Sequence, residues 1–182
     1  RSAFTNSING IAVTLAREVG IAKVIEYAYR LGIRSKLEYV PSVCLGSGEV
    51  KLLDLVNSYA SIIAEGNYEA PVLVTRIEDR NGKIIWEHSP KRTQAVDYET
   101  AYLMQEMLKA GMIERGSTVQ NLWSFEIFKD GTEYGGKTGT SSNHSDMWFV
   151  GVSPRLVGGA WVGGVQRCIH FRPGSKIGEG AH

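Results

Sequence analysis

Apolar residues three and four positions apart dominate the first part of the chain and predict helices. Between residues 11 and 19 they form one helical face that ends at Gly20. Between residues 24 and 31 they form a second face that ends at Gly32. The preceding stretch, residues 2–9, is mostly polar and predicts a loop that leads into the first helix. The sequence therefore predicts a helix pair joined by a tight glycine turn.

Two further helices are expected later in the chain. Apolar residues between positions 52 and 63 form a broad stripe, which is typical of a helix buried on much of its circumference. Asp97 belongs to the residue types preferred at helix N-caps, and the apolar spacing after it predicts a helix that runs to about Gly111. Residues 115–118 predict a loop.

Strand patterns occupy the remaining segments. Two β-rich runs, residues 72–77 and 83–87, flank Asn81-Gly82, which is a strong local signal for a β-hairpin. A block of aromatic, β-branched and glycine residues then predicts three antiparallel strands joined by short loops. These strands are expected near residues 136–141, 147–152 and 157–163. Because helices come first and an antiparallel meander comes last, the order indicates an α+β fold with helices packed on a sheet.

Composition limits the class of protein. The chain has 182 residues, of which 43% are hydrophobic, and a formal net charge of +1, which fits one globular unit and gives no reason to expect nucleic acid as a partner. The chain begins Arg1-Ser2 without an initiator methionine or an apolar signal segment, so we interpret it as an internal piece of a longer polypeptide. Cys44 lies in an apolar run and is expected to be a buried free thiol, although its pairing with Cys168 stays open. No metal-ligand spacing is present, and no cofactor is expected.

The strongest candidate for chemistry is the run of residues 135–141. Three of its residues are glycines, so a ligand backbone can approach the strand closely. Lys137 adds a cation, and Thr138 and Thr140 add hydroxyls. This combination predicts a strand that binds a peptide carboxylate along its edge.

Two sequence motifs resemble those of the penicillin-binding transpeptidases. Lys137-Thr138-Gly139 matches the Lys-Thr-Gly signature, and Ser7-Ile8-Asn9, ahead of an amphipathic helix, resembles the Ser-x-Asn signature. An ordinary helix N-cap would also explain Ser7 and Asn9, but the pairing of the two motifs favours the resemblance. Residues 20–28 and 41–50 are similar to the class A, bifunctional branch, and the resemblance covers nearly the whole chain.

The resemblance implies a reaction and a role for each motif residue. A serine attacks a D-Ala-D-Ala stem peptide, and the acyl-enzyme is resolved by the amine of a second stem peptide, which cross-links peptidoglycan; β-lactams acylate the same serine. By the resemblance, Ser7, Asn9 and Lys137 are catalytic. Ser7 relays a proton, Asn9 contacts the substrate backbone or an absent lysine, and Lys137 provides a positive field. The same comparison makes Thr138, Gly139, Thr140 and Ser141 the substrate-binding residues.

The third family motif, Ser-x-x-Lys, is absent, because no lysine has a serine three residues before it. The resemblance therefore implies an incomplete β-lactamase/transpeptidase-like fold, without its first strands, its nucleophile helix and its last helix. Its parts are expected to be a helical lobe (about 1–70 and 97–120), a hairpin insert (about 71–90) and a sheet (about 135–164).

The expected partners follow from the same resemblance. They are peptidoglycan stem peptides and β-lactams, and either the missing part of the domain or a second copy of the chain. The expected location is the periplasmic face of the inner membrane, with any membrane anchor outside this chain.

Three other functions share the observed motifs. A serine β-lactamase or D,D-carboxypeptidase would use water as the acceptor, and product analysis with an amine acceptor distinguishes them from a transpeptidase. A β-lactam-sensing domain would be acylated once and would signal. A non-catalytic binding module would need no nucleophile, and the chain itself has no Ser-x-x-Lys motif to supply one.

Overall fold

The computed structural model describes residues 1–126, 131–166 and 168–170. Its α-helices are α1 (Ser2–Thr5), α2 (Asn9–Val19), α3 (Ile21–Arg30), α4 (Leu52–Ile63) and α5 (Tyr98–Ile113), and 3₁₀ turns lie at Pro41–Leu45 and Gln120–Ser124. Its strands are β1 (Asn67–Tyr68), β2 (Arg76–Glu78), β3 (Ile84–Glu87), β4 (Thr93–Gln94), β5 (Gly135–Thr140), β6 (Asp146–Val152) and β7 (Val157–Gly163). The predicted α+β fold of helices and antiparallel strands is confirmed.

The main sheet is an antiparallel meander in the order β5-β6-β7. In its register Lys137 lies opposite Val150, and Thr138 lies opposite Phe149. The buried Val150 and Val152 on β6 form the middle of the sheet. This meander agrees with the predicted strands to within one residue at each end.

Helix α5 packs closely against strand β5, and glycines make the approach possible. A Cβ atom added to Gly111 would lie 2.9 Å from the backbone oxygen of Gly136. A Cβ atom on Gly135 would likewise lie 2.9 Å from Cβ of Leu108, a side chain that is fully buried. Side chains at these glycines would push the helix off the strand. The helix therefore fixes the position of the strand that carries Lys137.

Helix α4 lies beside α5 and packs against β6 and β7 on the same face of the sheet. An added Cβ on Gly159 of β7 would collide with the side chain of Val56, so this glycine allows the close contact. Helix α4 was expected to be buried on much of its circumference, but that expectation was wrong for part of the helix. Leu53 is 56% exposed, whereas Ser58, Ser61 and Ile62 are buried.

The N-terminal segment, which leads into the Ser7-Ile8-Asn9 motif, differs from the prediction. Residues 2–9 were expected to be a loop, but Ser2–Thr5 forms helix α1. The buried Thr5 hydroxyl lies within hydrogen-bond distance of two acceptors, the backbone oxygen of Ser2 (3.0 Å) and Glu114 Oε2 (3.1 Å) at the end of α5. Arg1 Nε lies 3.1 Å from the other oxygen of Glu114. The contacts to Glu114 join residues that are distant in sequence, so the local polar composition could not reveal the helix.

The apolar face of α2 is covered only in part by the described residues. The helix itself was predicted correctly, and Ala16 on it is buried. Ile11, Leu15 and Val19, however, are each about half exposed.

The predicted hairpin is present but shorter than expected. Its strands, β2 and β3, pair with Ile77 opposite Trp86, and Gly82 in the turn has a φ of 81°. The carboxylate of Asp79 accepts from the backbone N–H groups of Asn81 (2.8 Å) and Lys83 (3.0 Å), which closes the turn. All residues of the two strands are exposed.

Both cysteines are free thiols. The expectation of a buried Cys44 was wrong, because the residue lies on the Pro41–Leu45 turn and is only half-buried. Its thiol donates to the backbone oxygen of Pro41 at 2.8 Å.

Candidate active site

Lys137 and Ser7 meet in the folded chain although they are 130 positions apart in sequence. Lys137 lies in the middle of β5, and its Nζ donates a hydrogen bond to Ser7 Oγ. The contact joins the sheet to the turn between α1 and α2. An N-cap role for Ser7 does not account for this contact, because the N-cap position of α2 is Ile8 and no side chain caps the helix.

The backbone at Ser7 has an unusual conformation. Its φ of 52° lies in the left-handed region, which residues other than glycine adopt infrequently. Hydrogen bonds from Ser7 N to Phe4 O (3.1 Å) and from Ile8 N to Ala3 O (2.9 Å) hold the turn in this form. Such conformations persist where the surrounding contacts fix them, and they concentrate at functional sites.

The ammonium group of Lys137 is partly removed from water. It also donates to the backbone oxygen of Thr138 at 2.8 Å, and it lies 5.9 Å from the centre of the Phe4 ring. Burial lowers the pKa of Lys137 from the ordinary value of 10.5, because desolvation disfavours the charged form. A lysine with a lowered pKa gives up its proton more readily, which suits a group that exchanges protons with a hydroxyl.

Thr138 bonds to a threonine that the sequence analysis did not select. Its Oγ1 donates to Thr118 Oγ1 at 2.7 Å, and Thr118 lies in the loop after α5. The backbone N–H of Thr118 donates to Thr5 O at 3.3 Å, so the loop is attached to α1 near Ser7. Nothing in the local sequence of this loop marks Thr118, because its importance comes from a contact with β5.

The structure places the remaining selected residues nearby but in different surroundings. Thr140 is exposed at the end of β5. Gly139 faces Trp148, since an added Cβ would lie 3.4 Å from Cβ of that tryptophan. Asn9 is exposed at the first residue of α2, two positions after Ser7, and within the described residues it has no hydrogen bond to Lys137 or Thr138.

Ser141 belongs to the loop that follows β5. Its hydroxyl donates to Asn143 Oδ1 (3.1 Å) and accepts from the backbone N–H of Asp146 (2.9 Å). The carboxylate of Asp146 in turn accepts from the indole N–H of Trp161 at 3.0 Å. These bonds fix the end of the strand. They also engage the Ser141 hydroxyl inside the loop, so its proton is not free for a ligand unless the bond to Asn143 breaks.

Two surface cavities lie away from this group of residues. One, of about 250 Å³, is lined among others by Tyr98, Tyr102 and Lys109, and another, of about 330 Å³, lies beside α4. Neither is lined by Ser7, Lys137 or Thr138. The shared hydrogen bonds, and not the concavity of the surface, therefore identify the candidate site.

Comparison with known proteins agrees with the geometry. Residues 1–165 match the family model of the penicillin binding protein transpeptidase domain. The chain belongs to this family. The expected resemblance to the class A penicillin-binding proteins is also confirmed, because its relatives carry the name penicillin-binding protein 1A.

Alignment with individual penicillin-binding proteins shows how much of their length the chain spans. It is 32% identical to penicillin-binding protein 1A of Rickettsia conorii over 185 residues, which covers 90% of the chain and 23% of that protein. It is also 32% identical to penicillin-binding protein 1A of Aquifex aeolicus over 167 residues, with 90% of the chain and 21% of the relative covered. The chain thus spans less than a quarter of the length of these penicillin-binding proteins.

Solved penicillin-binding protein structures show the same fold. Penicillin-binding protein 1A of Haemophilus influenzae matches with a TM-score of 0.84 at 20% identity, over 95% of this chain and 31% of that one. The PonA1 protein of Mycobacterium tuberculosis in complex with penicillin V matches with a TM-score of 0.74 at 21% identity, over 91% of this chain and 47% of that one.

Among the residues that the structure describes, no helix has the length and apolar character needed to span a bilayer. The same residues include no cluster of three or more histidine, cysteine or acidic side chains arranged to hold a metal ion.

Proposed function

We propose that the chain supplies the proton-relay and carboxylate-binding parts of a serine D,D-transpeptidase that cross-links peptidoglycan. The nucleophilic serine would be carried by a segment upstream of Arg1 in a longer polypeptide. The proposal rests on one observation above all, the hydrogen bond from Lys137 Nζ to Ser7 Oγ. Two motifs of the family, far apart in sequence, contribute one atom each to that bond.

In the proposed reaction, bonds and protons are exchanged in two steps. The upstream serine oxygen attacks the carbonyl carbon of the penultimate D-alanine, and the C–N bond to the terminal D-alanine breaks. The serine proton passes to the leaving amine, with the Ser7 hydroxyl as the relay. The amine of a second stem peptide then attacks the ester, the serine oxygen leaves, and a proton from that amine returns to it.

The residues around the relay have distinct roles in this proposal. Lys137, with its lowered pKa, keeps the Ser7 hydroxyl oriented and exchanges a proton with it. Asn9 would hold the substrate backbone or the upstream lysine. Thr138 and Thr140 would bind the substrate carboxylate, with Gly139 and Ser141 shaping the strand, and the backbone N–H of Thr140 would be one of two oxyanion donors, worth about 3 kcal/mol.

The wider setting of the protein follows from this chemistry. The helical lobe (about 1–70 and 97–120) and the sheet (about 135–164) would form the two walls of the substrate site, and the hairpin insert (about 71–90) would lie outside it. β-Lactams would bind as analogues of the donor peptide. The substrate is extracytoplasmic, so we place the protein at the periplasmic face of the inner membrane. Transfer to an amine acceptor rather than to water would exclude a β-lactamase or carboxypeptidase.

The 182-residue chain alone is expected to form no covalent adduct with penicillin. No Ser-x-x-Lys motif is present, and the relay residues have no activated nucleophile to serve. Intact-mass measurement after incubation with a fluorescent penicillin tests this expectation. The positive control is a fusion of the chain to the segment that precedes the matching region in the Rickettsia conorii relative. This fusion is expected to gain the mass of one penicillin. An adduct on the chain alone would refute the proposal that the nucleophile lies upstream.

The outer edge of β7 is expected to recruit another polypeptide. In the described residues β7 pairs with β6 alone, and its Trp161 and Val162 are 42% and 53% exposed. Apolar unpaired edges invite strand pairing. We propose that the upstream part of the same domain, or a second copy of the chain, pairs there. Light scattering should therefore show a mass that rises with concentration. Val162→Lys should reduce that rise, and a monomer at every concentration would contradict the proposal.

A further inference from the structure

Glu114 lies at a position where helix physics alone disfavours it. It is the C-cap residue of α5, and its backbone N–H donates to Ala110 O at 3.0 Å. The C-terminus of a helix carries partial negative charge, so cations are favoured there and carboxylates are not. The contacts that stabilise this carboxylate therefore lie outside α5.

The Glu114 carboxylate contacts both ends of helix α1. Its Oε1 accepts from Arg1 Nε at 3.1 Å, and its Oε2 lies 3.1 Å from Thr5 Oγ1. The Thr5 hydroxyl has one proton and a second acceptor within reach, the backbone oxygen of Ser2 at 3.0 Å. Hydrogen bonds to an ionised acceptor are stronger than those to a neutral one, which favours Glu114. One side chain thus holds the residue before α1 and the last residue of α1.

Helix α1 in turn sets the surroundings of the Lys137 ammonium. Ser7 follows shortly after the helix, and its backbone N–H donates to Phe4 O at 3.1 Å. Phe4 lies on α1 itself, and its ring centre is 5.9 Å from Lys137 Nζ. A displacement of α1 would therefore carry both the Ser7 hydroxyl and the Phe4 ring away from the ammonium group.

Helix α5 connects α1 with the strand that carries Lys137. Gly111, one turn before Glu114, approaches β5 so closely that an added Cβ would lie 2.9 Å from Gly136 O. The last turn of α5 therefore contacts β5 through its backbone and α1 through the Glu114 side chain.

We infer that Glu114 is a positioning residue of the relay, which keeps the Ser7 hydroxyl on the Lys137 ammonium by holding α1 to the end of α5. Its side chain contacts Arg1 and Thr5, so it acts on the relay through α1. The catalytic consequence rests on the proposed function, whereas the effect on Lys137 can be measured on the chain alone.

A direct charge effect of Glu114 on Lys137 would have the opposite sign. Loss of a nearby carboxylate disfavours the charged ammonium and lowers its pKa further. Release of α1 exposes the ammonium to water and raises its pKa toward the ordinary 10.5, because burial is what lowers it. The direction of the pKa change therefore distinguishes positioning from electrostatics.

The first test is an NMR pH titration of the 182-residue chain with isotope-labelled lysine. The Lys137 signal is assigned by its absence from Lys137→Ala. Glu114→Ala should raise the pKa of Lys137 over at least about half of the gap between the wild-type value and 10.5. Glu114→Gln keeps an acceptor for Thr5 and should leave the pKa closer to that of the wild type. Glu99→Ala, at an exposed glutamate in the first turn of α5, is the matched control and should change nothing.

An unchanged or lower pKa of Lys137 in folded Glu114→Ala would overturn the inference. If that variant does not fold, Thr5→Val decides by the same criterion, because it removes the hydroxyl that faces Glu114 at nearly constant volume.

The second test measures penicillin labelling in the fusion to the Rickettsia conorii segment. Glu114→Ala should lower the second-order rate about tenfold, and Glu114→Gln less than about threefold. If Lys137→Ala is slow and Glu114→Ala reacts at the wild-type rate, only the positioning role is overturned. If Lys137→Ala also reacts at the wild-type rate, the proposed relay itself is wrong, and the catalytic consequence of Glu114 fails with it.

Discussion

If the proposed serine nucleophile is supplied by an upstream segment, replacement of Lys137 by alanine is expected to lower the rate of penicillin acylation by a factor of about 10² to 10⁴. The substitution removes the amine that hydrogen-bonds Ser7 Oγ and leaves the proposed relay without its partner. The measurement is the second-order rate of labelling by a fluorescent penicillin, with the chain joined to the upstream segment. Lys91→Ala, at an exposed lysine before β4, is the matched control and should react at the wild-type rate. A Lys137→Ala protein that labels within threefold of the wild type would show that Lys137 is not part of the relay.

The stability of the same variant gives an independent readout of the environment of Lys137. Burial lowers the pKa of this group in the folded chain below its value of 10.5 in the unfolded chain. Between those two pKa values the unfolded chain binds more protons, so the group's contribution makes the free energy of unfolding rise with pH. Below the folded-state pKa of Lys137 both states bind the proton, and the stability gained on raising the pH is absent. The difference in free energy of unfolding between the wild type and Lys137→Ala, measured by urea denaturation, should therefore become more favourable to the wild type as the pH rises over the alkaline range.

Replacement of Leu108 by alanine is expected to destabilise the chain by about 3 to 5 kcal/mol. Leu108 is fully buried on α5, where its Cβ lies 2.9 Å from the position of a Cβ added to Gly135. Truncation would leave a cavity directly beneath the first residue of β5. Urea denaturation followed by circular dichroism measures the change.

A leucine on the same helix provides the control for that measurement. Leu103 is 62% exposed, so Leu103→Ala should change the free energy of unfolding by less than about 0.5 kcal/mol. Equal losses for the two variants would mean that the packing of α5 on β5 does not stabilise the chain. The loss at Leu108 is large compared with the stability of 5 to 15 kcal/mol that is typical of natural domains.

The sequence predicted those elements whose signal is local. The meander of β5, β6 and β7 was found because aromatic and β-branched runs alternate with glycine and proline. Helix α5 was found because Asp97 caps it, and Asp97 Oδ1 indeed accepts from the backbone N–H of Thr100 at 2.7 Å. Its carboxyl pKa is lowered mainly by the hydrogen bonds from Thr100.

Features that depend on distant contacts could not be predicted. Helix α1 exists where Thr5 and Arg1 contact Glu114, more than a hundred residues further along the chain. Thr118 joins the site only because α5 and its following loop bring it beside β5. Lys137 and Ser7 could be selected from their motifs, but their direct contact required the fold.

The bond between Lys137 and Ser7 also bears on the choice of inhibitors. It connects the sheet with the turn between α1 and α2, so any compound that inserts between the two side chains must break it first. A compound that offers no polar atom at this point binds less tightly by the free energy of a charged hydrogen bond, about 1.5 to 3 kcal/mol. A compound that accepts from the amine and donates to the hydroxyl recovers that free energy. Chemical libraries for this surface should therefore favour small groups that carry an acceptor and a donor on adjacent atoms.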